Sequence, residues 1–263
     1  MEVSTRPSSL RATVSGEGWR HVRLTDVARL ESGHTPSKRN PDYWNGNIPW
    51  ISLHDTEELD AWEIETTSKT ISEAGLANSS ARLLPKGTVV FSRTATVGKA
   101  TVMGRSMATS QDFACYVCGS EVHNFYLALL FRSMRAEWKR LMAGSIHNTV
   151  YMPVFKALSV SLPPFDEQVA IAEAMLDVER QIDSLQQLLT KKHEIKQGAM
   201  QELLTGKRRL PGHTGEWITG TWSDIMNSCS SGATPLRSRP EYYNGPVRWI
   251  TSGELNYGVI DET

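Results

Sequence analysis

The chain has 263 residues, 40% of them hydrophobic and 22% charged. That is enough apolar material for one large or two smaller packed domains, and it excludes bulk disorder. The formal net charge of −1 lends a nucleic-acid partner no support, so such a partner needs a locally basic surface. No stretch has the length and apolarity of a signal peptide or a membrane span, and three cysteines make no disulfide framework. A cytoplasmic protein without membrane contact is expected.

In chain order, residues 1–15 are rich in Ser, Thr and Arg and read as a disordered leader. Residues 16–164 follow, rich in Gly, Thr, Val and aromatics and broken by turn signals. Strand character marks Gly87–Ser92, Lys99–Met103 and Phe113–Val117, and helical character marks Leu24–Leu30 and Asn124–Met142. The fold class expected here is α+β, a globular mixed domain. Cys115 and Cys118 stand three apart on a strand and point to opposite faces. They suit neither a metal nor a redox turn, and buried, inert thiols are expected. Charge is unevenly spread. Residues 55–65 hold six acids and no base, whereas residues 66–160 hold eleven Lys/Arg against four Asp/Glu. The second segment offers the basic face that the total conceals.

Pro163-Pro164 breaks this pattern, and Asp166-Glu167 then gives the acidic first turn of a helix. No proline interrupts the chain up to Leu204, and Gly206 can close the helix, which makes a spacer element over 165–206. Forty residues at about 1.5 Å each span roughly 60 Å, well beyond the roughly 30 Å diameter of a domain of this size. Ile171, Met175, Val178, Ile182, Leu185 and Leu189 alternate spacings of four and three, a heptad seam for helix pairing. The seam then shifts to Leu188, Ile195, Ala199 and Leu203, so the helix meets different neighbours along its length.

Residues 207–263 begin the first domain again. Ser32-Gly33-His34-Thr35-Pro36 matches Ser231-Gly232-Ala233-Thr234-Pro235, and Pro41-Asp42-Tyr43-Trp44-Asn45-Gly46 matches Pro240-Glu241-Tyr242-Tyr243-Asn244-Gly245. Trp50-Ile51 matches Trp249-Ile250, giving ten identities in twenty positions at an offset of 199. A repeat this long is a duplicated domain, not a solenoid unit. Only about the first third of the second copy is present, too little to close a core like its parent's.

No catalytic chemistry can be assigned. Asn40-Pro41-Asp42-Tyr43 is superficially similar to an amino-methyltransferase motif, but Asp replaces its second proline and the repeat has Arg239 at the Asn40 position. There is no phosphate loop, no nucleophile–base pair and no His/Cys/Asp/Glu spacing for a metal. No cofactor is expected.

Several motifs resemble one family in that family's own order. They are the repeated Thr-Pro…Trp/Tyr-Asn-Gly…Trp-Ile block, Ser92-Arg93-Thr94-Ala95-Thr96-Val97-Gly98-Lys99, Thr109-Ser110-Gln111-Asp112, Leu162-Pro163-Pro164-Phe165-Asp166-Glu167-Gln168 and Leu203-Leu204-Thr205-Gly206-Lys207-Arg208-Arg209-Leu210. Together they resemble the DNA-recognition (specificity) subunit of type I restriction-modification systems, cut off early in its second target recognition domain. Ala95 stands where the family often has Gly. The resemblance implies a non-catalytic subunit whose recognition domains each read half of a split site on double-stranded DNA. It implies conserved helices that separate the readers and bind methylation subunits, with restriction subunits completing the complex. A competing expectation is a truncated coiled-coil interaction remnant without DNA binding.

Base reading needs bidentate donors and phosphate contact needs exposed cations. The candidates are Lys38, Arg39, Arg93, Lys99, Arg105, Gln111, His147 and Asn148. Arg105, His147 and Asn148 fall between the shared motifs and are the better expectations for base selection. Trp44 and Trp50 are expected in the core. An exposed seam predicts association, here an antiparallel homodimer through the long helix that reads a palindromic target.

Overall fold

The computed structural model describes residues 11–12, 18–142, 148–243 and 245–253. The chain divides into two units, Met1–Lys191 and Lys192–Thr263. The first unit runs β1 (Arg11–Ala12), β2 (Arg20–Arg23), α1 (Leu24–Val27), β3 (Ala28–Ser32), β4 (Trp44–Ile51), β5 (Glu63–Ile64), β6 (Thr70–Ile71) and α2 (Glu73–Ala77). It continues through β7 (Val89–Ser92), β8 (Ala100–Met103), β9 (Ala108–Thr109), β10 (Phe113–Cys118), α3 (Asn124–Ser133), α4 (Arg135–Met142), α5 (Met152–Ala157) and β11 (Ser159–Leu162). The strands form three sheets, β1-β11-β2, β3-β10-β7-β8-β5 and β6-β4-β9. The fold is α+β.

The five-stranded sheet carries the core. Successive side chains of a strand point to opposite faces, so Val89, Phe91 and Tyr116 pack with Phe131, Trp138 and Phe155, while Val90, Phe113 and Cys115 pack with Ile51 and Leu59. The Phe91 ring lies 5.3 Å from Phe131, 4.7 Å from Trp138 and 5.3 Å from Phe155. Cys115 joins the second cluster and Cys118 packs against the first, the opposed placement that a strand dictates. Burial pushes both thiols up to about 12.

Two helical expectations are corrected. The helix over Leu24–Leu30 ends at Val27, because Ala28–Ser32 pair antiparallel with Ala114–Cys118. A single turn has little cooperative stability to set against a full row of sheet hydrogen bonds. The helix over Asn124–Met142 is two helices separated at Met134.

The long helix α6 (Phe165–Leu204) has 40 residues and follows Pro163-Pro164 directly. Its first turns are docked on the domain. The Gln168 side-chain amide is fully buried, donates to the carbonyls of Glu121 and Pro163, both at 3.0 Å, and accepts the His123 N–H at 3.0 Å. Ala172 is buried and Ile171 is partly covered by the same cluster. Beyond them, Met175, Val178, Ile182, Leu185 and Leu189 are 42–64% exposed. The helix does not lie on its own domain, and its apolar seam faces outward.

In the second unit, Gly206 (φ +72°) ends the helix. The repeat is structural as well as sequential. α7 (Trp222–Ile225) corresponds to α1, and a 3-10 turn at Pro240–Tyr242 corresponds to one at Pro41–Tyr43. Trp44 meets Trp50 edge-on at 5.1 Å, and Tyr243 meets Trp249 edge-on at 6.1 Å. Trp44 Nε1 donates to the Ser37 carbonyl, and Tyr243 OH donates to the Pro235 carbonyl. Packing differs sharply between the copies. Leu24 and Ile51 are fully buried, whereas their counterparts Trp222 and Ile250 are 72% and 51% exposed.

Candidate nucleic-acid interface

One end of the five-stranded sheet gathers the shared-motif loops. There β3 ends at Ser32, β7 ends at Ser92, and β10 begins at Phe113, as the antiparallel register requires. The loop after β3 is stitched to the one before β10. The His34 N–H donates to the Thr109 carbonyl at 2.9 Å, and Thr35 Oγ1 donates to Gln111 Oε1 at 2.7 Å. Arg93 donates from Nε and Nη2 to the Gln111 carbonyl at 2.9 and 2.6 Å and from Nη1 to the Val150 carbonyl at 3.4 Å. The Val150 N–H returns a bond to the Arg93 carbonyl at 2.8 Å. Partial burial lowers the Arg93 pKa from its ordinary value, and Asp112 opposes that shift.

The candidate residues therefore divide by what their side chains already hold. Arg93 spans two loops. Lys99 Nζ is held by the Thr56 carbonyl at 2.9 Å and Asp60 Oδ2 at 2.6 Å. Gln111 is exposed but tied to Thr35. Arg132, not a candidate, spends its guanidinium on the carbonyls of Ala100, Leu59, Asp60 and Ala61 and lies 4.0 Å from the Trp62 ring centroid. Part of the local positive excess is thus internal scaffolding. Lys38, Arg39 and Asn148 are exposed, with Asn148 at φ +48°. His147 lies outside the described residues.

Arg105 is not brought together with the others. It follows β8 at the opposite end of the sheet, where the Gly104 N–H donates to the Ile64 carbonyl at 2.8 Å. A Cβ at Gly104 would stand within 3.0 Å of the Glu63 and Glu65 side chains, so its surroundings are acidic.

Sequence reasoning passed over a second feature. The loop after β3 continues over the indoles of β4, where Trp50 Nε1 donates to the His34 carbonyl at 3.0 Å and Trp44 Nε1 to the Ser37 carbonyl at 3.2 Å. It brings Lys38 to a cavity of about 300 Å³ lined by Lys38, Trp44, Asn45 and Lys69. The register of β4 against β6 shifts between Trp44 and Ile48, a bulge that turns residues 45–47 out of the ladder. Asn45 sits at φ +59°, in the left-handed region. Gly46 is required, since its Cβ would fall 2.4 Å from Ser72 Cα. The Asn-Gly pair was the available signal for this bulge; nothing in the sequence singled out Lys69.

Among the described residues no group of three His, Cys, Asp or Glu could hold a metal ion, and no helix is long and apolar enough to cross a membrane.

The chain is similar to known proteins in sequence and in fold. A family model, the type I restriction modification DNA specificity domain, matches residues 16–197. The type I restriction enzyme MjaIX specificity subunit of Methanocaldococcus jannaschii is 27% identical over 159 residues, 60% of this chain and 37% of the relative. The HindI specificity subunit of Haemophilus influenzae is 27% identical over 129 residues, 48% of this chain and 28% of the relative. The crystal structure of the HsdS subunit from Thermoanaerobacter tengcongensis shares the fold with a TM-score of 0.55 at 18% identity, over 73% of this chain and 46% of that one. A chain from a structural study of type I R-M complex assembly and conformational transition gives 0.57 at 18% identity, over 73% and 47%. The chain spans about a third of those curated relatives and just under half of the solved ones.

Proposed function

The chain belongs to the type I restriction modification DNA specificity family, and on that premise we propose that it is a non-catalytic, sequence-specific DNA-binding specificity subunit that reads a half-site with residues 16–164 and docks methylation subunits through α6. The observation that carries this reading is the loop cluster. Loops from three separate strand ends meet at one end of the core sheet and are fixed to one another by Arg93, Thr35 and Gln111. A reader needs its contact groups held on a rigid scaffold. Gln111 and Asn148 are assigned to this face, Lys38 and Arg39 to its margin, and Arg93 and Lys99 to holding its loops. Arg105 is assigned outside it.

The uncovered seam supports the second part. An apolar stripe over Met175–Leu189 with half its surface in solvent is a face for helix pairing. Two copies pair antiparallel through it, giving a two-fold dimer with two identical readers and a palindromic target whose spacing the helix sets. Restriction subunits join the complex of this dimer, the methylation subunits and DNA. The protein works in the cytoplasm.

A gel shift on random-sequence duplexes, with and without a type I methylation subunit, tests the reading. A retarded complex, strengthened by the methylation subunit, is expected. Free DNA in both lanes leaves only a helix-pairing scaffold that binds no DNA.

A further inference from the structure

The cavity at the β4 bulge has three properties that belong together. Its described lining holds two lysines, an asparagine and an indole, and no acidic side chain. Lys38 and Lys69 are both exposed, and neither forms an ion pair or side-chain hydrogen bond among the described residues. This contrasts with Lys99, Arg93 and Arg132, which the same domain spends on its own carbonyls and on Asp60. The bulge also fixes Asn45 at a left-handed φ beside them, with Gly46 pinned against Ser72.

The internal repeat indicates what kind of contact this is. Arg237 aligns with Lys38 at the same offset of 199, so a cation recurs there in both copies. Arg237 is exposed and also without an ion pair among the described residues. Neighbouring Arg39 and Asn40 align with Ser238 and Arg239 and do not recur. A cation that recurs in two copies differing at half of the twenty aligned positions fits a contact that is independent of base sequence. A compact ammonium suits a phosphate oxygen as a point charge.

We propose that Lys38 and Lys69, at the mouth of the Trp44–Asn45 cavity, clamp a backbone phosphodiester of the DNA duplex and contribute affinity without sequence preference. The proposal rests on the DNA-binding reading above and goes beyond it by separating a positioning contact from the base-reading loops.

The test is fluorescence anisotropy of the full chain with several duplexes of unrelated sequence, titrated between 50 and 200 mM salt. Each phosphate contact contributes about 0.9 to the slope of log K against log salt. The Lys38→Ala/Lys69→Ala double variant is expected to lose affinity by one common factor on every duplex, and its salt slope to fall by about 0.9, the share of one phosphate. Lys38→Arg/Lys69→Arg keeps both. Affinity and slope equal to the parent's overturn the clamp, and so does a loss confined to some sequences, which marks base reading. Failure of the parent chain to bind any duplex overturns the DNA-binding reading itself, and the clamp with it.

Discussion

Arg93 shows why a cation's role could not be read from its type. The donors that would grip guanine here grip the carbonyls of Gln111 and Val150, and the sequence does not say which carbonyl comes within reach. The shared segment around it was legible; its use as a strut was not. Arg93→Ala unpairs two loops, with a cost of about 1–3 kcal/mol. Denaturant unfolding should show a lower midpoint, with Arg93→Lys recovering only part. Ala95, in the same turn, sits at φ +60°, a conformation costing a non-glycine residue about 1–2 kcal/mol. Ala95→Gly relieves this but adds freedom to the unfolded chain, about 0.5–1 kcal/mol, so a net gain of up to about 1 kcal/mol in thermal or denaturant unfolding is expected. The cysteines give a third prediction. Cys115 and Cys118 are held as thiols by burial up to about 12, and Cys229 is exposed. A thiol reagent at pH 8 should label Cys229 alone in the native chain and all three cysteines in denaturant.

At the scale of elements, the long helix was the most legible part, because a proline pair, an acidic first turn and forty proline-free residues are local signals. Its attachment was not legible. Gln168 reads as an ordinary polar residue of an exposed turn, yet it is buried and closes three hydrogen bonds that fix the helix to the domain. Gln168→Ala leaves those buried groups unpaired, at about 1–3 kcal/mol, and should raise amide exchange around His123 and the first turns of the helix. The short helix at Leu24 was overread because its strand partner lies about ninety residues away in Ala114–Cys118, and tertiary pairing overrides a local pattern. The seam yields its own prediction. Light scattering at micromolar concentration should give twice the chain mass, and Ile182→Asp/Leu185→Asp should give the monomer with helical content intact. A monomeric parent chain contradicts helix pairing.

For the whole molecule, duplication is what the sequence displayed best, and the structure carries it down to the paired aromatics Trp44–Trp50 and Tyr243–Trp249. The loop cluster proposed as the reading face was the part it displayed least, because loops far apart in sequence meet only through sheet register. The same register sends Arg105 to the far, acidic end, so Arg105→Ala should leave DNA affinity and its salt slope unchanged. The central claim joins one reader to one pairing helix, and selection of bound sequences from a randomised duplex pool, using the full chain with its methylation subunit, tests both at once. The account predicts one recurrent half-site, present twice in inverted orientation at a fixed spacing; a pool that shows no enriched sequence contradicts it.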